Sequence, residues 1–449
     1  MVIAFMAVLD GTIANVALPT IARELDITPA ASIWVINAFQ IAVTATLVGF
    51  ASIGGLVGYA RIYRLGAVIF TAGSLFCALS HTLELLVVAR VIQGFGASML
   101  MSIQPALIRS IYPPNQLGRG TGAMATMVAS TAAAGPTIGG AILAIAPWPW
   151  LFMINVPVGI VDTVLMSKTL PNIPGTGTLS DFDIVGGFFA GMALTTLTLG
   201  VEAIAHSADS VAAICLAASI VCVVLFIRHE AKTPKPLLPL EVFSRARFTL
   251  SNVTSVCSYT SQGLALVSLP FYFQTTLGRT PLEAALLLTP WPISVALVAR
   301  LAGGLADRFP AAILGTAGLG VMMIGAAALA LLLEHPAVGD IVWREMLCGL
   351  GFGFFQAPNN REIMSSLPLK FTSVAAGMLA TMRVLGQSLG AALVAVIFAV
   401  FGAKIVTIGP EHAIRNAMPI ALWIAAAIAA GGAAASVARL REEPKVSGR

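Results

Sequence analysis

The sequence predicts an all-α membrane protein with fourteen transmembrane helices. Three observations carry this. Hydrophobic residues make up 58% of the 449, charged residues only 10%, and mean hydropathy is +0.92, whereas a soluble globular protein carries roughly 25% charged residues. The apolar residues fall into runs near the length that a helix needs to cross hydrocarbon, about 20 residues. Most runs are apolar on both faces, which suits helices rather than barrel strands, because a helix satisfies its backbone within one segment.

Taken in order, the runs lie at approximately 2–20, 32–58, 65–80, 84–111, 118–146, 150–170, 183–202, 210–227, 247–272, 281–302, 312–333, 341–359, 373–402 and 416–437. An even count puts both termini on one side. That side collects eighteen Lys and Arg residues and the other side five, with Arg90 and Arg383 left inside spans. By the positive-inside rule both termini are cytoplasmic, and the inner (cytoplasmic) membrane is the expected location. The net charge of +5 is therefore topological, and nucleic acid is not needed to explain it.

The longest hydrophilic connector, Arg228 to Arg247, runs through Lys232-Thr233-Pro234-Lys235-Pro236 and reads as a cytoplasmic linker. The chain parses as a six-helix bundle (1–170), two inserted spans (171–230), a linker (231–246), a second six-helix bundle (247–437) and a cytoplasmic tail (438–449). Paired bundles around a central cavity are a transporter plan. Positions 1–20 lack a basic leader and a small-residue cleavage site, so no removable signal peptide is expected. The first span begins almost at Met1, leaving open a native N-terminus with a longer headpiece.

Enzyme chemistry finds little support. The five cysteines form no CxxC pair, the five histidines have no ligand spacing, and neither a metal site nor a phosphate-binding GxxxxGK[ST] loop is present. No cofactor is implied. Gly349-Leu350-Gly351-Phe352-Gly353 sits inside an apolar run, where close helix packing is the natural reading.

Asp10 is the conspicuous exception to the apolar pattern. It stands mid-span in Leu9-Asp10-Gly11-Thr12-Ile13-Ala14-Asn15-Val16-Ala17-Leu18-Pro19, where an ionised carboxylate costs roughly 3 kcal/mol on insertion scales. In span five, Gly135 and Gly139 share one face with Pro136 between them and Gly140 beyond, a seam for close helix approach with a kink.

Four motifs carry a resemblance. Gly135-Pro136-Thr137-Ile138-Gly139-Gly140 resembles the antiporter signature of the major facilitator superfamily. The Asp10 stretch resembles the first-span signature of its fourteen-span drug:proton antiporter branch. Arg90-Val91-Ile92-Gln93-Gly94-Phe95-Gly96-Ala97 and Phe152-Met153-Ile154-Asn155-Val156-Pro157-Val158-Gly159 are similar to that branch's fourth-span and sixth-span motifs. The resemblance covers essentially the whole chain. It implies two helix bundles with alternating access, proton exchange at Asp10 assisted by Arg90, and control of helix movement and leak by the span-five motif. Span geometry agrees: Asp10 lies about 15 Å and Arg90 about 9 Å below the outer surface at 1.5 Å per residue.

The chain departs from the family after span two, where Gly55 and Leu56 stand in place of an expected acid and base. The matching turn after span ten keeps Asp307 and Arg308 as a cytoplasmic gate, with Pro310 replacing a glycine. Missing the acid at Gly55, the gate is expected to be lopsided. Candidate cavity residues are Trp34, Asn37 and Gln40 in span two, Tyr259 and Gln262 in span nine, Trp291 in span ten, Phe355 and Gln356 in span twelve, and Arg383 with Gln387 in span thirteen. Pockets for drug-sized ligands combine apolar walls with a few polar anchors, although any aromatic here also fits a core or a lipid-facing role. Asp162 reads as part of a polar seam, Asn359 and Asn360 as helix caps at the cytoplasmic mouth, and Glu202 and Glu283 as solvated carboxylates at outer helix ends. No second acid rivals Asp10 in placement.

The expectation is a proton-coupled efflux antiporter. The proton gradient would drive export of amphipathic, cationic compounds, with lipid, protons and small substrates as partners and the oligomeric state open. Rivals are a dedicated exporter of one metabolite, lipid or peptide, and a non-transporting receptor or scaffold.

Overall fold

A computed structural model describes residues 2–111, 131, 134–170, 175, 177–178, 182–205, 209–233, 236–306, 309–333, 335–368, 371–402 and 410–440. The regular elements among the described residues are helices: α1 (Val2–Glu24), α2 (Pro29–Ser32), α3 (Trp34–Val57), α4 (Tyr59–Ala78), α5 (Leu83–Ile111), α6 (Ala134–Ile145), α7 (Trp150–Met153), α8 (Asn155–Thr169), α9 (Ile184–Ala205), α10 (Asp209–Glu230), α11 (Ala246–Phe271), α12 (Pro281–Leu288), α13 (Pro290–Leu305), α14 (Ala311–Ala330), α15 (Val338–Ser365), α16 (Thr372–Gly402) and α17 (Pro410–Leu440). Each of the fourteen apolar runs coincides with helix among the described residues.

Among the described residues, ten helical spans are long and apolar enough to cross a membrane, and α6 and the α7–α8 stretch Trp150–Met166 are shorter apolar helices. Helices α11 and α15 are long but more polar. Their polar groups are turned inward: Ser251, Asn252, Thr254, Ser255, Ser258 and Ser261 of α11 and Glu345 and Asn359 of α15 are buried. A bilayer makes that inward placement obligatory.

Local chemistry sets the breaks. Thr28 caps α2, accepting from the Ala31 amide at 3.1 Å, with Pro29 at the first helical position. Gly58, at φ 106°, separates α3 from α4, a conformation that only glycine adopts without strain. Thr280 and Glu283 form a capping box at the start of α12. Thr289-Pro290 then interrupts the tenth apolar run, dividing it into α12 and α13.

Packing repeats between the two halves. Helix α5 packs against both α3 and α4 as α15 packs against both α13 and α14, and α8 joins α4 as α17 joins α14. The glycines set the register. A side chain at Gly73 of α4 would meet the Gln93 backbone at 2.6 Å, and one at Gly325 of α14 would meet the Cys348 backbone at 2.8 Å. Gly94 abuts the Phe39 carbonyl and Ala42, and Gly349 abuts the Trp291 carbonyl and Ser294. Gly351 presses on Met322 and Gly353 on Val295, so this glycine run is a packing surface. Helices α9 and α10 pair with each other, and α9 lies against α3 and α16. Much of α10 is exposed, including Ile214, Ile220 and Val221, as lipid contact requires.

One apolar core joins both halves at the end where α1 finishes, here the distal end. It includes Leu18, Ile21, Phe152, Phe271, Leu288, Trp291 and Ile341. The Gln274 amide donates to the Val16 carbonyl at 2.9 Å, and the Thr137 and Thr289 hydroxyls share a hydrogen bond of 2.8 Å. Smaller cores lie around Tyr63, Phe70 and Ile103 in one half and Phe248 and Ile363 in the other.

Candidate functional site

Asp10, in the first half of α1, is held by side chains from two other helices. Its Oδ2 is ion-paired with Arg90 Nη1 of α5. Its Oδ1 accepts from Gln93 Nε2 at 3.0 Å and from Asn155 Nδ2, at the start of α8, at 2.9 Å. None of the four residues is more than 3% exposed. Arg90 has partners besides the acid: its Nε donates to the Val35 carbonyl at 2.8 Å and its Nη1 to Gln93 Oε1 at 2.6 Å. Its guanidinium carbon also stands 4.3 Å from the centre of the Phe39 ring and 5.3 Å from that of Phe152, within cation–π range.

The sequence builds this locally. Arg90 and Gln93 are three apart and share one face of α5. Gly94, next along, lets α3 approach closely enough to offer Val35 and Phe39. Gln93 also donates to Ser74 Oγ of α4 at 2.8 Å, tying that helix to the site as well. Gln93 and Asn155 were legible as motif residues, but nothing in their spacing marked them as ligands of Asp10. The i, i+3 spacing set Gln93 on the same face as Arg90 but named no partner for it.

The span-five motif adjoins this site. Gly135 faces Thr12, two residues from Asp10, and a side chain at Gly139 would meet the Ile13 carbonyl at 3.3 Å. A side chain at Gly140 would meet Ala285 of α12 at 2.5 Å. Buried Pro136 lies between these contacts. The motif thus seats α6 against α1 of its own half and α12 of the other.

The cavity candidates divide. Tyr259, Gln262, Gln356, Arg383 and Gln387 group on α11, α15 and α16. Gln356 Nε2 donates to the Tyr259 hydroxyl at 3.0 Å, and Gln387 Nε2 reaches Gln262 Oε1 at 3.5 Å. Arg383 is within electrostatic reach of the same tyrosine. Phe355, by contrast, is 1% exposed and fills the joint between α14 and α15, where Gly318 abuts its backbone. Trp291 belongs to the distal core. Trp34 is half-buried at the start of α3, and Gln40 is buried on the same helix.

Three placements correct the reading of the sequence. Glu202 is not a solvated helix end: it is fully buried, and Asn37 Nδ2 donates to it at 2.7 Å. Asn37 therefore turns to α9. Asn359 is an internal anchor, not a cap, donating to the Ser251 carbonyl and Ser255 Oγ and accepting from Arg439 Nη1 at 2.7 Å. Glu345 is a second fully buried acid, which sequence reasoning passed over because it sits one residue from Arg344 near a span end. Asp162 does lie in a polar seam, accepting from the Tyr63 hydroxyl at 2.8 Å. Asp307 and Arg308 lie outside the described residues. Among the described residues, no group of three His, Cys, Asp or Glu side chains is placed to hold a metal ion.

Comparison with known proteins gives concordant matches. The family model of the Major Facilitator Superfamily matches residues 1–391. The Uncharacterized transporter YebQ of Escherichia coli (strain K12) is 50% identical over 401 residues, covering 88% of this chain and 87% of that one. The Riboflavin transporter RibZ of Clostridioides difficile (strain 630) is 33% identical, covering 88% and 86%. The Putative multidrug resistance protein MdtD of Escherichia coli O1:K1 / APEC is 28% identical, covering 90% and 86%. Among solved structures, the inward-facing, occupied form of a bacterial homolog to the human lysosomal transporter Spinster superposes with a TM-score of 0.72 at 14% identity, covering 98% of this chain and 95% of that one. The chain belongs to the Major Facilitator Superfamily and is a multi-pass membrane transporter.

Proposed function

We propose that this transporter is a proton-coupled exporter in which Asp10 takes up and releases the driving proton. The observation that carries the reading is the double provision around Arg90. A buried cation left without partners is strongly unfavourable. Here the Val35 carbonyl, Gln93 Oε1 and two aromatic faces hold the guanidinium whether or not Asp10 is ionised. Protonating Asp10 removes the ion pair without stranding Arg90, so both states of the acid are compatible with one scaffold. The neighbouring contact of Gly135 with Thr12 offers a route from that proton to movement of α6. Closure at the distal end supports a cycle in which the halves separate there and close at the other end. In this reading the halves 1–170 and 247–437 move against each other around the inserted pair, both termini are cytoplasmic, and no cofactor is used.

The substrate class that fits is amphipathic and cationic. The group formed by Tyr259, Gln262, Gln356, Arg383 and Gln387 supplies one aromatic ring and three amide anchors. A second reading, export of one dedicated metabolite, is favoured by the 33% identity to a protein named as a riboflavin transporter and by the presence of Arg383 in that group.

Proteoliposomes with an imposed pH gradient separate these readings. A panel of lipophilic cations is compared with riboflavin, wild type beside Asp10→Asn. Proton-driven cation movement lost in Asp10→Asn supports the first reading, and movement of riboflavin alone supports the second. Coupling that survives in Asp10→Asn rejects the assignment of Asp10.

A further inference from the structure

The glycine register that aligns the two halves pairs Gln93 with Cys348, and Gly94 with Gly349. Three residues before each stand Arg90 and Glu345. Where the first half carries a guanidinium with an acid, the second carries an acid. The ring that Arg90 stacks upon, Phe39, has Trp291 as its counterpart, because both backbones abut the paired glycines.

Glu345 is 0% exposed, and neither carboxylate oxygen has a hydrogen-bond partner among the described residues. The Trp291 indole nitrogen is buried and likewise without an acceptor. Among the described side chains, the ionisable groups on the helices packed against α15 do not neutralise the acid. Helix α14 has none. Helix α12 has only Glu283, exposed in its capping box, and α13 has no ionisable side chain among those described. Helix α11 offers Arg247 at its far end, Cys257, and Tyr259, whose hydroxyl is bound to Gln356. Helix α16 offers Arg383, which is near that same tyrosine. On α15 itself, Arg344 is held by Asp340 at 3.0 Å, and Cys348 is the neutral neighbour one turn away.

A bare carboxylate in such a place is strongly disfavoured, whereas a neutral carboxylic acid is tolerated. We propose that Glu345 is a second proton-binding site of this transporter, occupied while the distal end is closed. The residue lies within the distal core beside Ile341 and Cys348, so separation of the halves at that end admits water to it and allows the proton to leave. The proposal rests on the proton-coupled reading for its role in transport, but not for the protonation itself.

Infrared difference spectroscopy on the full chain in lipid nanodiscs at neutral pH tests it. Wild type should show a protonated-carboxyl stretch that moves on transfer to deuterium oxide. Glu345→Gln should lose that band and Asp10→Asn should keep it. Glu345→Asp, a second variant should the glutamine form fail to fold, should shift the band rather than remove it. No such band in wild type, or an unchanged band in both Glu345 variants, overturns the proposal. If the band belongs to Glu345 while Asp10→Asn transports normally, the Asp10 reading fails and this one stands.

Discussion

Asn37 of α3 donates its side-chain amide to Glu202 of α9 at 2.7 Å, with both residues fully buried. This bond attaches the inserted helix pair to the helix whose Val35 carbonyl holds Arg90. The additional pair is therefore joined to the candidate proton site through one element, two residues apart.

Removing the donor should be felt as stability. In Asn37→Ala the buried Glu202 loses a hydrogen bond, at a cost of about 1–3 kcal/mol. Glu202→Gln keeps an acceptor for Asn37 and should cost less. Thermal unfolding of the purified proteins, followed by loss of the monodisperse peak, checks the order. Equal melting of wild type and Asn37→Ala would show that the bond contributes nothing.

Breaking the central ion pair from either side should have unequal effects. Asp10→Asn retains shape and hydrogen bonding to Gln93, and Arg90 keeps its other partners. Arg90→Ala strands Asp10 and empties a large volume, which should cost about 3–5 kcal/mol. A double-mutant cycle with Asp10→Asn and Arg90→Gln should return a favourable coupling between the two sites. Strict additivity would mean that the pair is not energetically linked.

Glycine substitutions should sort by what they would meet. Gly351→Ala drives a methyl group into the Met322 backbone, and Gly135→Ala drives one into Thr12, so each should lose about 1–3 kcal/mol by overpacking. Gly377 and Gly303 have nothing within 4 Å, and alanine there should leave yield and melting unchanged. Expression and thermal stability across these four variants provide the check.

The distal closure should be trappable. The Thr137 and Thr289 hydroxyls, on opposite halves, are 2.8 Å apart. Thr137→Cys with Thr289→Cys should cross-link under mild oxidation and arrest transport, with activity returning on reduction. Free transport by the oxidised double variant would show that this end does not need to open.

Much of the architecture was legible because hydropathy is a local quantity. Apart from the fifth, most of which lies outside the described residues, each apolar run marked helix to within several residues. The third shows how the edges were missed: α4 begins at Tyr59, ahead of the run at 65, because Arg61 and Arg64 are carried on its first turns. The Asp10 stretch and the glycines of span five stood out for the same local reason, a costly charge or a missing side chain in an apolar run. Glu202 and Glu345 did not. Both lie near the ends of their helices, where a carboxylate is ordinarily solvated, and only the rotation of α9 and α15 about their own axes buries them.

By itself the sequence determined the helical class, the order of the spans and the presence of a carboxylate in the first, since each follows from residues near in the chain. Tertiary structure alone decided which partners that carboxylate has and which other acids share its isolation from water. Those outcomes depend on depth and azimuth of helices far apart in sequence, on α5 and α8 turning Gln93 and Asn155 to one point, and no local pattern encodes them.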